Sequence, residues 1–210
     1  MSRPPIPDRA QRQAHFETMF RQAADPWRYR ERWYERRKRA LTLAMLPRER
    51  YAYGFEPGCA NGELSIGLAG RCDRLLAGDA SEAATALARE RLAACAHAQV
   101  LRQSVPHDWP LDARFDLVVL SELVYYLDAA ERARLRECIA TTLQAGGDLV
   151  ACHWTGAMEA WAAPAAAVHE EFDAAFAALA GRRVAHYEDG DFLLDVWSTD
   201  GRSVAEAEGL

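Results

Sequence analysis

The stretch Phe55-Glu56-Pro57-Gly58-Cys59-Ala60-Asn61-Gly62 puts one carboxylate, two glycines and small residues within eight positions. Gly58 can take a positive φ and let a ligand come close to the backbone, while Gly62 permits a close helix–sheet approach. Asp79 comes 21 residues after Gly58, in Leu76-Ala77-Gly78-Asp79-Ala80-Ser81. A carboxylate there can accept both hydroxyls of a ribose, each charge-assisted bond contributing roughly 1.5–3 kcal/mol. Further along, Ser121-Glu122 ends the apolar run Phe115–Leu120, Tyr125-Tyr126 lies just beyond, and His153 stands near the end of a later apolar stretch. Glu122 and His153 are the residue types that orient an amine or take its proton. Tyr125 and Tyr126 supply hydroxyls or an aromatic wall that favours a cation.

The spacing restricts the ligand. A dinucleotide fingerprint needs glycines in GxGxxG register, but counting from Gly58 the second and third positions are Ala60 and Glu63. Glu63 would set an anion beside a pyrophosphate, so NAD and FAD fit poorly. GxxxxGK[ST] is missing from this loop, which argues against a P-loop nucleotide. A ribose-bearing ligand without phosphate remains, with Glu56 at the start of the loop. S-adenosylmethionine meets both conditions: its ribose suits Asp79 and its ammonium suits Glu56.

Those residues need a scaffold, and the chain alternates strand-like and helix-like text. Strands are expected at Tyr51–Glu56, Arg74–Gly78, Gln99–Arg102, Phe115–Leu120 and Asp148–His153. Helices are expected between them, over Gly62–Ala69, Glu82–Cys95 and Ala129–Leu143, the last ending at Gly146-Gly147. A helix over Pro164–Ala180 and an antiparallel pair, Arg183–Tyr187 with Phe192–Ser198 around Asp189-Gly190, close the domain. Alternation of this kind predicts an α/β, Rossmann-like fold: a seven-stranded, mostly parallel sheet with helices on both faces. In such a sheet the ligand lies beyond the carboxyl ends of the strands, where their order reverses. Upstream, His15–Ala23 reads as a helix broken by Asp25-Pro26-Trp27, with Pro26 suited to the first position of a new helical segment. Tyr29–Leu46 reads as a second helix stopped by Pro47. Tyr34 and Lys38 share a face of it. Residues 15–47 are expected to form a lid over the cofactor, with Lys38 near the methionine carboxylate and Trp27 or Trp109 flanking cofactor or substrate. Met158–Pro164, with Trp161, is expected to cover an acceptor pocket. Residues 1–14 and 200–210 read as loose ends around one domain over 15–199.

The order Glu-Pro-Gly-Cys-Ala-Asn-Gly, Gly-Asp-Ala-Ser, Phe-Asp-Leu-Val-Val-Leu-Ser-Glu and Leu-Gln-Ala-Gly-Gly-Asp-Leu resembles the motif series of class I S-adenosylmethionine-dependent methyltransferases. Asp25-Pro26-Trp27, Trp33-Tyr34-Glu35 with Lys38, Glu56-Pro57-Gly58-Cys59, Ser121-Glu122 with Tyr125-Tyr126-Leu127, and His153-Trp154 resemble the nodulation protein S family within that class. The resemblance runs from about residue 15 to 199. It implies methyl transfer, with S-adenosylhomocysteine as product, and the family's type member acts on the amine of a de-N-acetylated chitooligosaccharide. Cofactor contacts are then expected from Trp27, Tyr34, Lys38, Glu56, Gly58, Cys59, Ala60, Gly62, Asp79, Ala80, Ser104, Val105 and Ser121, and catalytic roles from Glu122, Tyr125 and His153. Two departures stand out. Ala60 replaces the usual middle glycine. Ser104 stands where an acidic residue commonly meets the adenine amine, a role that its hydroxyl or Asp108 could fill.

Composition bounds the rest. The chain has 210 residues, 50% hydrophobic and 27% charged, as in ordinary folded domains and unlike disordered or collagen-like chains. Residues 1–50 carry a net +7 and the remainder −13. The run Arg36-Arg37-Lys38-Arg39 is short, and an acidic body repels phosphates, so a nucleic-acid partner is not expected. No apolar run approaches 18 residues and the start lacks a signal-peptide core, so no membrane partner is expected and the cytoplasm is the default. Five cysteines without a CxxC pair read as free thiols, with no metal site. The expected partner is a small-molecule acceptor, most simply the amine of an amino sugar, and the expected state a monomer or weak homodimer. Rival readings are an O-methyltransferase of a small hydroxylated metabolite and a non-catalytic S-adenosylmethionine-binding regulator.

Overall fold

The computed structural model describes residues 4–156 and 159–210. Its sheet has seven strands: β1 (Tyr51–Pro57), β2 (Cys72–Asp79), β3 (Ala98–Arg102), β4 (Phe115–Ser121), β5 (Leu143–Trp154), β6 (Arg182–Glu188) and β7 (Phe192–Ser198). Their order is β3-β2-β1-β4-β5-β7-β6. The first five run parallel, and β7 is antiparallel to both β5 and β6. The order reverses between β1 and β4, so the loops after Pro57 and Ser121 diverge above the sheet and open a crevice.

The apolar run of β4 is buried on both faces, as a central parallel strand should be. Leu117 and Val119 enter one hydrophobic cluster, with Leu75, Ala77 and Val150; Val118 and Leu120 enter the other, with Phe55, Leu149 and Trp197. Phe115 sits on the Val118 side because the β4–β5 register shifts between Phe115 and Leu117. Where β1 and β4 lack backbone pairing at their start, the Asp116 carboxylate accepts the Ala52 and Tyr53 amides, both at 2.8 Å. The side chain thus takes over the two amides that no strand neighbour pairs there.

Helices α3 (Ser65–Ala69), α4 (Glu82–Arg91), α5 (Ala129–Thr142) and α6 (Ala165–Ala178) connect the strands. Ser81 caps α4 and Asp128 caps α5 through a reciprocal capping box with Glu131, the geometry that satisfies the free amides of a first turn. Ahead of them stand α1 (Arg9–Gln22) and α2 (Trp33–Ala44). α1 bridges two of these starts. Glu17 accepts from Ser81 Oγ at 2.7 Å and from the Ala83 amide at 3.2 Å, and Arg12 Nη2 donates to both Glu131 oxygens at 2.5 and 2.6 Å. α2 is tied to the β6–β7 turn by Arg37, which pairs with Asp189 at 2.6 Å and lies over the rings of Tyr187 and Phe192.

Several expected boundaries move. α1 starts at Arg9 because Asp8 and Gln11 form a capping box, so the N-terminal segment is ordered well before residue 15; residues 1–3 lie outside the described residues. Asp25-Pro26 opens no helix. Asp25 instead accepts the amides of Tyr29 and Arg30, four and five residues on, which holds a loop ahead of α2 and leaves that helix to start at Trp33. The expected loose tail carries a short capped helix, α7 (Val204–Glu208), held by Arg182 on Glu206 at 3.2 Å. The strand expected from Asp148 begins at Leu143.

Candidate cofactor and acceptor site

Above the crevice lies a cavity of about 840 Å³, large for a single small ligand. Its floor is the carboxyl ends of β1, β2 and β4, contributed by Gly58, Ala60, Asp79, Ala80, Ser121 and Glu122. Gln103, Ser104 and Val105 close one side, and α1 with Trp27 roofs it through Arg12, Phe16 and Phe20. Trp27 packs edge-on against Phe20 at 5.6 Å.

Asp79 faces the glycine turn. Its Oδ2 accepts the Ala60 amide at 3.0 Å and its Oδ1 accepts the Ser81 amide at 2.9 Å. Each oxygen keeps a lone pair for a ligand hydroxyl. Gly58 has φ +78°, and a Cβ there would meet Leu123 at 3.2 Å, so the turn needs glycine for both reasons. Ala60 is also left-handed, at φ +50°. The strain, about 1–3 kcal/mol for a non-glycine residue, accompanies the presentation of its amide to Asp79. Gly62 likewise has a positive φ, +80°, and a Cβ there would lie 3.1 Å from Ala88 Cα of α4.

A smaller pocket continues past Gly58, lined by Tyr29, Lys38, Arg39, Glu56, Cys59 and Asn61 among others. Glu56 is 2% exposed and its Oε2 has no partner; Asn61 Oδ1, also buried, has none either. Burial pushes the Glu56 pKa up to about 8, with a smaller contribution from the Asp79 charge in the same direction. A buried carboxylate without a cation is costly, and an incoming ammonium would relieve it. On the other side of the cavity Gln103 Nε2 is a buried donor without a partner. These orphaned groups fit S-adenosylmethionine: acceptors where its ammonium would lie, Asp79 for the ribose, and an amide beside Ser104 and Val105 for the base.

Beyond them sits a charged cluster. Glu122 has φ +56°, which swings its side chain into the cavity lining. Its Oε1 accepts from Lys38 Nζ at 3.1 Å, and its Oε2 accepts from the Tyr125 hydroxyl and the Trp154 amide. Glu35 approaches Lys38 Nζ at 3.2 Å. Burial pulls the Lys38 pKa down, but the charges of Glu122 and Glu35 outweigh it and the net shift is upward. Lys38 is therefore a fixed cation, and two carboxylates share it. Tyr34, with its hydroxyl buried and unpartnered, lies under Lys38 Nζ at 4.9 Å and edge-on to Trp154.

The structure corrects some expected roles. His153 lies outside the cavity lining: its ring is 0% exposed and both nitrogens are engaged by protein groups. Lys38 lines both pockets and is held by Glu122 and Glu35, which together engage at most two of its three N–H donors. Asp108 is exposed, accepts the Ser104 amide at 2.9 Å and lies outside the cavity lining, to which Gln103 and Ser104 belong. Cys59 lines the smaller pocket beside Glu56 and Asn61. Trp109 is a core residue, edge-on to Phe55 and bonded to Thr142 Oγ1 at 3.0 Å. Trp161 packs on Tyr126 at 5.4 Å; Met158 lies outside the described residues. Among the described residues no group of three or more His, Cys, Asp or Glu gathers as metal ligands, and no helix is long and apolar enough to cross a membrane. Sequence reasoning missed Gln103, Glu35 and the first residues of α1, Arg9, Arg12 and Gln13, which also line the cavity. Glu35 was legible, since it lies one turn before Lys38 on the same helix; Gln103 carried no signal until its amide was seen to be orphaned.

The family model of nodulation protein S matches residues 13–188. Nodulation protein S of Rhizobium tropici is 34% identical over 130 residues, which cover 61% of this chain and 54% of that protein. The chain thus spans about half the length of the curated relatives it matches. A Pseudomonas syringae protein, solved as a candidate methyltransferase, is 53% identical and superposes with a TM-score of 0.68, covering 80% of this chain and 99% of that one. N-methyltransferase NodS from Bradyrhizobium japonicum, solved with S-adenosyl-L-homocysteine, shares the fold at 23% identity, with a TM-score of 0.70 over 89% of this chain and 97% of that one. The chain belongs to the nodulation protein S family and has the Rossmann-like fold of S-adenosylmethionine-dependent methyltransferases.

Proposed function

We propose that this protein is an S-adenosylmethionine-dependent methyltransferase acting on the amine of a small acceptor, an amino sugar or a related metabolite. The observation that carries the cofactor assignment is the pair of carboxylates at the ends of adjacent strands, Asp79 facing the glycine turn and Glu56 buried without a cation. Family membership and the solved relative bound to S-adenosyl-L-homocysteine support it.

Bound there, the cofactor supplies a sulfonium methyl, which the acceptor nitrogen's lone pair takes as the carbon–sulfur bond breaks. Asp79 holds the ribose hydroxyls, Gln103, Ser104 and Val105 border the base, and Glu56 with Asn61 receives the ammonium. Glu122 faces the remaining volume. The cluster sets two carboxyl groups, Glu35 and Glu122, against the single ammonium of Lys38, and the rings of Tyr34, Tyr125, Tyr126 and Trp154 share the cavity lining with it. That environment favours a cationic or developing-cationic partner over a neutral one. An ammonium has no lone pair, so the acceptor reacts as the neutral amine, and Glu122 orients it or takes its proton through water. Most of the acceleration comes from alignment in a closed site. α1 provides that closure by spanning the starts of α4 and α5, and its release admits and discharges ligand.

The test is incubation with methyl-labelled cofactor and matched panels of amino sugars, simple amines and hydroxylated analogues. Label on amines is expected. Label confined to hydroxyls would replace the N-methyl assignment, and binding of S-adenosylhomocysteine with no label on any acceptor would favour a non-catalytic binder.

A further inference from the structure

His153 stands at the end of a central strand, where a base would be expected, yet it belongs to a buried chain of side chains leading away from the cavity. His153 Nε2 accepts the Val124 amide at 3.3 Å. Its Nδ1 is 2.9 Å from His169 Nε2, and His169 Nδ1 is 2.6 Å from Asp195 Oδ2. The other Asp195 oxygen is 2.6 Å from Nδ1 of His186, whose side chain is 44% exposed, and Arg183 approaches Asp195 at 3.3 Å. The chain crosses β5, α6, β7 and β6.

One protonation pattern satisfies every neutral link. A backbone amide can only donate, so His153 Nε2 must carry a lone pair and Nδ1 the proton. His153 Nδ1–H then donates to His169 Nε2, and His169 Nδ1–H donates to the Asp195 carboxylate. Burial raises the Asp195 pKa, but the hydrogen bonds from His169 and His186 outweigh it and leave the net shift downward, so the chain ends on an anion. Protonating His153 would set an N–H against the Val124 N–H. Tyr125, Lys38 and His169 are the ionisable groups around that ring; burial above all, with the Lys38 charge adding to it, holds its pKa well below the ordinary value.

Val124 opens the 3-10 turn Val124–Tyr126. That turn comes directly after left-handed Glu122 and Leu123 and carries Tyr125, whose hydroxyl bonds Glu122. We infer that His153 is a positioning residue, its tautomer fixed through His169 and Asp195, which pins this turn and so aims the Tyr125–Glu122 pair at the acceptor. The inference builds on the methyl-transfer reading.

The test joins readouts that do and do not need an acceptor. Imidazole nitrogen NMR of the full chain from pH 5 to 9 should show His153 neutral throughout, with Nδ1 protonated. Hydrogen exchange at the Val124 amide should speed up roughly tenfold in His153→Phe and be largely restored in His153→Gln, whose Oε1 can take the place of Nε2. With an acceptor from the amine panel, kcat of His153→Phe should fall on the order of 10²-fold. The Kd for S-adenosylhomocysteine should stay within about threefold, and the pH–rate profile should keep its shape. A His153 that titrates across this range, a Val124 amide indifferent to both substitutions, or loss of the acidic limb of the profile in His153→Gln would overturn the inference. If no acceptor is methylated at all, the methyl-transfer reading fails, while the NMR and exchange results still decide the pinning.

Discussion

Glu56 carries the sharpest quantitative consequence of the cofactor assignment. In the free protein its carboxyl is held at about 8 by burial, so only about 1% is ionised at pH 6 and about 10% at pH 7. The cofactor's α-amino group, with an ordinary pKa of about 7.7–8.0, is largely ammonium at both. If the bound state pairs carboxylate with ammonium, the population competent to bind rises roughly eightfold between pH 6 and 7 and peaks near pH 8. It then falls as the ammonium deprotonates. Binding at pH 7 should release about 0.8 proton, the loss from Glu56 less a small uptake by the amine. Calorimetry of S-adenosylhomocysteine in buffers of different ionisation enthalpy reads the affinity and the proton count together. Glu56→Gln should abolish both the slope and the release. Asp79, whose proton affinity burial also raises, is present in both proteins, so their difference isolates Glu56 together with the repulsion between the two carboxylates. A flat affinity from pH 6 to 8 in the native protein, or a Gln variant with the same slope, would refute the pairing.

The same geometry has other consequences. Asp79→Asn removes the charge from the ribose bonds and sets an NH2 against the Ala60 or Ser81 amide, and should weaken S-adenosylhomocysteine binding roughly 10- to 100-fold by calorimetry while lowering the unfolding free energy by about 1–3 kcal/mol. Gly58→Val combines a left-handed backbone with a Cβ 3.2 Å from Leu123, and should lower the unfolding free energy by about 1–3 kcal/mol while abolishing cofactor binding. Glu17→Ala frees α1 from Ser81 and Ala83, and should speed S-adenosylhomocysteine release in stopped-flow several-fold more than it slows association. Glu17 is held at about 2, chiefly by its hydrogen bonds from Ser81 and Arg21, the former outweighing burial. Its depressed pKa means that the latch is stable above the ordinary carboxylate range and loosens only as pH falls from about 4.5 towards 2.

The scaffold was legible because its signals are local. The apolar run at β4, the cap at Ser81, the glycine turn at Gly58 and the Asp189-Gly190 turn each announce themselves within a few residues. Both the resemblance and the spacing of Glu56, Gly58 and Asp79 placed the crevice correctly. The misses came from side chains whose role depends on distant partners. His153 reads as a base at a strand end until His169 and Asp195, 16 and 42 positions later, are folded against it. Lys38 reads as a free cation until Glu122 arrives from β4, 84 positions away. The start of α1 was obscured by Pro4, Pro5 and Pro7, although Asp8 and Gln11 held the capping box in plain view.

A co-crystal with S-adenosylhomocysteine is the decisive measurement. Both ribose hydroxyls should lie on Asp79, with the ammonium within bonding distance of Glu56 and the sulfur directed towards Glu122. A ligand seated elsewhere, or with its ribose turned from Asp79 and its amine in solvent, would contradict the assignment of this cavity.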